Sequence, residues 1–357
     1  LLTGATGLVG GHLLDRLLGA LPAWRFVLVV RERHRLAPRF AQERVAVWTG
    51  DISRPDLGLG KSQWAAARSS VTEIVHCAAA TRFDLPLEQA RQVNAGGTEN
   101  VLALAEACPR LAKFLHVSTA YVVGRTSGSI PEALVNQSPR FCNTYQHSKY
   151  EAEQLVASRA RSVPTAIARL SSIMGDSRDG HVEQFNYVHQ LLKLYPKWVL
   201  PVVPFDPDAI VDVVPTDWVA DTLAWLLVNR FQAGAVYHLC SGTRGMTVKE
   251  MLDETTRVFA EHPEGTTLEH WPRMVSLADY EEFAERTQLQ GSLLMRELVR
   301  TLGYFLPHLG IRQVFENQRT FALLAGSGIE LPPIRPCYAA MVRWCLDTNW
   351  GKRCAKR

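Results

Sequence analysis

The chain of 357 residues lacks any apolar run long enough to cross a bilayer, because Asp212, Asp217 and Asp221 interrupt the longest candidate near 210–228. Its seven cysteines, at 77, 108, 142, 240, 337, 345 and 354, contain no C-x-x-C pair. The eleven histidines contain no pair at the helical spacing of metal ligands. A zinc site is therefore not expected, and reduced thiols in a cytoplasmic protein are. A G-x-S-x-G elbow, an H-E-x-x-H helix and a G-x-x-x-x-G-K-[ST] loop are all missing, which removes the common hydrolase and nucleotide-triphosphatase readings. Charge of one sign is scarce as well. The 39 Lys and Arg against 35 Asp and Glu leave +4, too little to argue for a nucleic-acid partner. The basic end Gly351-Lys352-Arg353-Cys354-Ala355-Lys356-Arg357 reads as a solvated tail. There is no initiating Met, and Leu1 falls inside what should be the first strand, so the sequence reads as a trimmed piece whose first strand is cut off before Leu1.

What is present is ordinary globular material, 47% hydrophobic and 21% charged, enough to build a large core. Strand-like runs at Phe26–Val30, Val45–Trp48, Glu73–Cys77, Lys113–Val117, Thr165–Ala168 and Val236–Leu239 alternate with helical patterns such as His12–Leu18, Ala90–Glu106 and Tyr145–Ala157. That alternation predicts an α/β fold, a Rossmann-type doubly wound parallel sheet. Residues 177–208 break the pattern with Pro196, Pro201, Pro204 and Pro207 among aromatics. The stretch 211–228 returns to strand and helix, and from Gly242 onward the chain reads as helices and loops, including Glu250–Phe259, Ser292–Leu302 and Tyr338–Leu346. The expected division is a dinucleotide-binding domain over 1–176 and 209–241, with a smaller, mostly helical C-terminal substrate lobe over 177–208 and 242–357.

Leu2-Thr3-Gly4-Ala5-Thr6-Gly7-Leu8-Val9-Gly10 is a phosphate-binding turn that opens an apolar helix. Its glycines permit a tight turn, close approach of backbone to a pyrophosphate, and close packing of helix on strand. The adenosine ribose of a bound dinucleotide lies at the tip of the second strand, where an acidic side chain takes a 2′-hydroxyl and an arginine accommodates a 2′-phosphate. That strand ends in Arg31, Glu32 and Arg33, with Arg39 close behind, and we read NADPH from it. The plain alternative is that these arginines only solvate a loop, and it suits Arg33 best. Asp51, after Gly50, is placed to accept from an adenine amino group with Ile52 covering the ring, or else to be a helix N-cap. The small residues Ala78, Ala79 and Ala80 leave room for a dinucleotide along the exit of the fourth strand.

Tyr145 and Lys149 are four residues apart on a helical pattern and therefore share a face. Reducing a carbonyl without a metal requires a proton donor beside the oxygen. An ammonium about 4 Å away at an effective dielectric near 20 favours the phenolate by roughly 4 kcal/mol, which is expected to bring Tyr145 close to pH 7. A further hydroxyl for the developing oxyanion is offered by Ser118 or Thr119, at the carboxyl end of the fifth strand. Such a Tyr-x-x-x-Lys pair arises readily by chance, and the glycine turn upstream is what gives it meaning.

Taken together these phrases resemble the extended short-chain dehydrogenase/reductases over about residues 1–241. Within them the chain is similar to the thioester reductase branch, which includes fatty acyl-CoA reductases and the terminal reductase domains of carboxylic acid reductases and of polyketide or nonribosomal peptide synthetases. The matching phrases are Thr3 to Gly10, Val29-Val30-Arg31, Gly50-Asp51-Ile52 with Asp56-Leu57-Gly58-Leu59, Ile74 to Ala79, and Val93-Asn94 with Gly97 to Leu102. They continue through Val117-Ser118-Thr119-Ala120-Tyr121-Val122, Tyr145 to Glu153, and Ala168 to Ile173. The segment after Gly242 matches only loosely, in Phe305-Leu306-Pro307 and Arg312 to Asn317.

The resemblance implies a catalytic triad of Thr119, Tyr145 and Lys149. It also implies NADPH contacts from Gly4, Thr6, Gly7, Leu8, Val9 and Gly10, from Arg31 and Arg39, from Asp51 and Ile52, and from Ala78, Ala79, Ala80 and Asn94. Ser171, Ile173, Tyr145 and Lys149 complete that set. The implied substrate is an acyl thioester on coenzyme A or on a phosphopantetheinyl carrier domain, reduced to aldehyde and in some members to alcohol, and some members are single domains of larger enzymes. Phe185, Tyr187, Leu191, Leu192, Trp198 and Phe205 are expected to wall an apolar acyl channel. The competing readings are another extended reductase acting on a ketone, hydroxysteroid or nucleotide sugar, and a regulator that binds NADPH without turnover.

Overall fold

Strands that are apolar along their whole length must be covered on both faces, which is what parallel sheets flanked by helices provide. In the computed structural model, which describes residues 1–266, 268 and 270–353, one sheet has seven strands, all parallel. They are β1 (Leu2–Thr3), β2 (Phe26–Val30), β3 (Val45–Thr49), β4 (Glu73–His76), β5 (Lys113–Thr119), β6 (Thr165–Leu170) and β7 (Val236–Leu239). Their spatial order is β7-β6-β5-β4-β1-β2-β3. The chain thus runs outward from β1 to β3, then crosses back to β4 on the other side. The crevice at the carboxyl ends of β1 and β4 is the switch point where such sheets bind ligands.

The flanking helices are α1 (Leu8–Ala20), α2 (Lys61–Ser70), α3 (Leu87–Ala107), α4 (Thr144–Ser158), α5 (Tyr187–Leu194) and α6 (Thr216–Asn229). On one face α1 and α6 pack together over Leu28 and Leu115, burying Leu13, Leu14, Leu17, Leu223 and Leu227. On the other, α3 and α4 cover Val29, Ile74 and Phe114 with Val101, Leu104 and Val156. Later come α7 (Val248–Glu261), α8 (Leu277–Gln290), α9 (Leu293–Leu302), α10 (Gln318–Leu323) and α11 (Ile334–Asp347). The start of α7 is set by a reciprocal cap in which Glu250 N–H donates to Thr247 Oγ1 at 3.1 Å and Thr247 N–H to Glu250 Oε2 at 2.9 Å.

Three expectations need correction. The first strand is present as Leu2–Thr3, hydrogen-bonded to both β2 and β4, although only two residues long. α1 begins at Leu8 rather than His12, because Gly7 is its N-cap and the helix grows directly out of the turn. The region after Gly242 is not only helices and loops. Met246–Thr247 pairs with Ile210–Val211, Arg273–Val275 with Val202–Pro204, and Gln313–Phe315 with Gly128–Ile130. Pairs of two or three residues with partners far along the chain carry no periodicity to read. The tail from Cys354 lies outside the described residues. Among the described residues no helix is long and apolar enough to cross a membrane, and the six cysteines are free.

Candidate active site

The glycine turn is built for close approach. Gly4 has φ +80°, and a Cβ there would lie 2.6 Å from the backbone of Cys77 and Ala78. A Cβ on Gly10 would lie 2.2 Å from the Gly4 carbonyl oxygen. Gly7 N–H closes the turn on Gly4 O at 3.0 Å, and α1 starts with neither a side-chain cap nor an acidic residue in its first turn. Its first amides, among them those of Leu8 and Val9, therefore keep their donor capacity for an anion. Thr6 lies in the turn itself.

Around this turn the other expected cofactor residues take different places. Arg31 is exposed at the end of β2 and has no hydrogen-bond partner among the described residues. Arg33 is folded back onto β3, bonded to Thr49 Oγ1 at 3.1 Å and to the Val47 carbonyl. Arg39 is held by Asp15, with Nε 3.0 and 3.1 Å from the two carboxylate oxygens, and the pairing raises its pKa. Asp51 Oδ1 accepts from Ser53 N and Oγ at 2.9 and 2.8 Å, closing a local turn rather than capping a helix, since the next helical segment has Arg54 at its N-cap. Ile52 is buried against Gly97 of α3. The Ala78–Ala80 loop is fastened by buried Asn94, whose Oδ1 accepts from Ala80 N at 2.7 Å and whose Nδ2 donates to Ala80 O at 3.0 Å and Ser148 Oγ at 2.9 Å. Ser171 and Ile173 follow β6, where Ile173 pairs with Val214.

The catalytic candidates converge at the ends of β5 and α4. β5 runs two residues beyond its expected end, so Ser118 and Thr119 are its buried last residues. Thr119 Oγ1 accepts from Tyr121 N at 3.3 Å and is near enough to the Tyr145 phenol to favour its ionised form. Tyr145 sits in the first turn of α4, which Asn143 caps by accepting from Gln146 N at 3.0 Å. Lys149, one turn later, is 2% exposed. Its Nζ donates to Val117 O at 2.9 Å and to His116 Nε2 at 3.0 Å.

The expectation that Lys149 draws the phenol toward neutrality is overturned. Burial pushes Tyr145 up to about 12, against a smaller opposite pull from Thr119, while the ammonium is turned toward β5. Lys149 itself is brought down to about 8, chiefly by burial and against the opposing field of Glu153. At neutral pH the site therefore holds a protonated phenol beside a lysine that is still largely charged.

Beyond Tyr145 lies an aromatic shell that the sequence reading anticipated only in part. The Phe83 ring, from the loop after β4, stacks on Tyr145 at 5.5 Å and meets Phe305 at 5.3 Å and Tyr187 at 5.9 Å. Gln146 Nε2 donates to His308 Nε2 at 2.9 Å, and His308 in turn packs edge-on against Tyr121 at 5.0 Å. Tyr121, Tyr187, Phe305 and His308 help line a cavity between α5, α7 and the segments around Trp198, Trp271 and Leu309, of about 1170 Å³ with the solvent-open space included. Of the six residues expected to wall a channel, Tyr187, Leu191, Leu192, Trp198 and Phe205 line this cavity. Phe185 does not, packing instead against His189, Trp344 and Trp350. Tyr121 was visible in its Ser-Thr-Ala-Tyr phrase and Phe305 in its Phe-Leu-Pro phrase; Phe83 and His308 had no local signal, since they join the site only through tertiary packing.

Residues 2–223 match the family described as male sterility protein. Fatty acyl-CoA reductase 1 of Xenopus laevis is 27% identical over 296 residues, covering 68% of this chain and 57% of that protein. The match thus spans a little over half the length of that relative. Among solved structures, the terminal R domain from the myxalamid PKS-NRPS biosynthetic pathway superposes with TM-score 0.80 at 24% identity, covering 99% of this chain and 91% of that one. The reductase (R) domain of a nonribosomal peptide synthetase from Mycobacterium tuberculosis gives TM-score 0.69 at 23% identity, covering 96% and 90%. These structural likenesses establish the fold.

Proposed function

The chain belongs to the male sterility protein family, a family of NAD-binding domains, and on that premise we propose that it is an NADPH-dependent reductase of acyl thioesters. The observation that carries this reading is that the Phe83 ring stacked on Tyr145 also meets Tyr187 and Phe305, two residues in the wall of an almost wholly apolar cavity. Sugar-nucleotide substrates need polar walls; this cavity suits an acyl chain. The thiol side, on coenzyme A or a phosphopantetheine arm, leaves toward solvent.

The turn from Gly4 to Gly10 fits a dinucleotide pyrophosphate: a Cβ at Gly4 or Gly10 would strike the backbone that shapes it, and the first amides of α1 have no side-chain cap. Gly4, Gly7 and the first amides of α1 would hold the phosphates, Arg31 the 2′-phosphate and Lys149 the nicotinamide ribose. Bound there, NADPH supplies hydride to the acyl carbon. Thr119 and Tyr145 receive the carbonyl oxygen as it gains an electron pair, and Tyr145 donates its proton to it. When the carbon–sulfur bond of the resulting hemithioacetal breaks, the hydroxyl proton returns to the Tyr145 phenolate. The aldehyde forms and the thiolate leaves, taking a proton from water. Phe83, Tyr187 and Phe305 exclude solvent around this step.

The test is kcat/KM with NADPH across acyl thioesters of increasing length on one carrier. Each buried methylene is worth about 0.8 kcal/mol, so kcat/KM is expected to rise by up to about fourfold per methylene until the cavity is filled. A flat profile, or activity on free ketones only, would overturn the proposal.

A further inference from the structure

His116 and His76 stand side by side in the register of β5 and β4, rings 5.3 Å apart, both almost wholly buried. Their bonding differs. His76 uses both nitrogens: Thr3 Oγ1 lies 2.7 Å from Nδ1 and Thr98 Oγ1 3.1 Å from Nε2. Thr98 gives its own hydroxyl proton to Asn94 O at 2.6 Å, so His76 must donate from Nε2. His116 has the opposite arrangement. Its Nε2 faces the Lys149 ammonium at 3.0 Å and must be bare to accept, which puts the ring proton on Nδ1, a buried atom with no partner among the described residues. A fold ordinarily avoids an unpaired buried N–H. Here the opposite tautomer would satisfy nothing and would set an N–H against an ammonium.

We propose that His116 is a positioning residue for Lys149, its neutral imidazole accepting one ammonium proton from behind so that the lysine is held ready for the cofactor ribose. The proposal rests on the placement of Lys149 at the dinucleotide argued above. An ammonium has three N–H groups. Val117 O takes one and His116 takes another, which fixes the stem and leaves one for the ribose. A second cation at this point would repel Lys149, and burial keeps both imidazoles neutral, His76 down to about 3 and His116 well below its ordinary value. The other titratable groups acting on Lys149 are Glu153 on its own helix, paired with Arg169 of β6 at 2.7 Å, and Cys77 at the end of β4. Among these, His116 supplies the one side-chain acceptor bonded to Nζ.

The experiment compares His116→Phe with His116→Gln, whose side-chain oxygen can take the place of Nε2. The affinities for NADPH and NADH are read by fluorescence titration from pH 6 to 9, alongside kcat/KM. His116→Phe should weaken dinucleotide binding about tenfold or more and move the alkaline limb of binding and of kcat/KM down by about one pH unit. His116→Gln should restore both to within about threefold of wild type. Wild-type affinity and limb in the Phe variant, or equal damage in both variants, would overturn the inference. Should the Phe variant fail to fold, the ring tautomer in the wild-type protein decides: long-range 1H–15N spectra are expected to show a bare Nε2, and a protonated Nε2 would refute it. Loss of the thioester reading alone, seen as no thioester reduction by the wild type, leaves these binding and tautomer measurements intact.

Discussion

The Tyr145 ring lies 5.5 Å from the Phe83 ring at an interplanar angle of 19°, so the phenol carried by α4 is stacked on a side chain from the loop after β4. The loop is fixed there by Thr144 Oγ1, which bonds the carbonyl oxygens of Phe83 at 3.2 Å and Leu85 at 2.9 Å. An aromatic pair of this kind is worth about 0.5–1.5 kcal/mol beyond its buried area. Phe83→Ala should therefore lower kcat/KM roughly two- to tenfold while leaving NADPH affinity unchanged. An unaltered kcat/KM would show that the ring only packs.

Removing the phenol should act on chemistry alone. Tyr145→Phe is expected to lower kcat about 10²–10⁴-fold with NADPH affinity near wild type. Near-normal turnover would place the proton donor elsewhere.

The pH profile follows from the two directions of shift. Tyr145, pushed up to about 12, stays protonated throughout the accessible range, while Lys149, brought down to about 8, loses its charge as pH rises through that value. The alkaline limb of kcat/KM should accordingly fall near pH 8, tenfold per unit above it, with no limb from a phenol titrating near 7. A decline already complete at pH 7 would contradict this arrangement.

Cofactor choice is expected to rest on Arg31 rather than Arg39, since Asp15 already engages the latter. Losing one charged contact with a phosphate costs about 1.5–3 kcal/mol, so Arg31→Ala should weaken NADPH binding by about tenfold or more and leave NADH binding nearly unchanged. Equal losses for the two cofactors would count against the assignment.

Stability of α4 depends on a buried ion pair. Arg169 and Glu153, both 0% exposed, bond at 2.7 Å and fasten α4 to β6. Breaking such a pair from one side leaves a buried charge and costs about 3–5 kcal/mol. Urea unfolding of Glu153→Leu should show that loss, and the double variant with Arg169→Met should recover most of it.

The glycine turn, the Tyr145–Lys149 spacing and most strands of the sheet were legible in the sequence because each is a local pattern. A turn needs its glycines within a few residues, helix neighbours are four apart, and a buried parallel strand is apolar along its length. The two-residue first strand and the short strand pairs were not legible, because their partners lie far along the chain. Nor could the sequence alone set the proton affinity of Tyr145. Spacing placed the ammonium on the right face, but burial dominates the phenol's pKa, and the ammonium turned to acceptors on β5, a direction that only packing against the sheet decides. The residues that complete the site, His116 behind Lys149 and Phe83, Tyr187, Phe305 and His308 around Tyr145, come from separate segments. Local sequence determined which groups could do the chemistry; the tertiary fold determined their neighbours and charge states, because desolvation and hydrogen bonding act through space rather than along the chain.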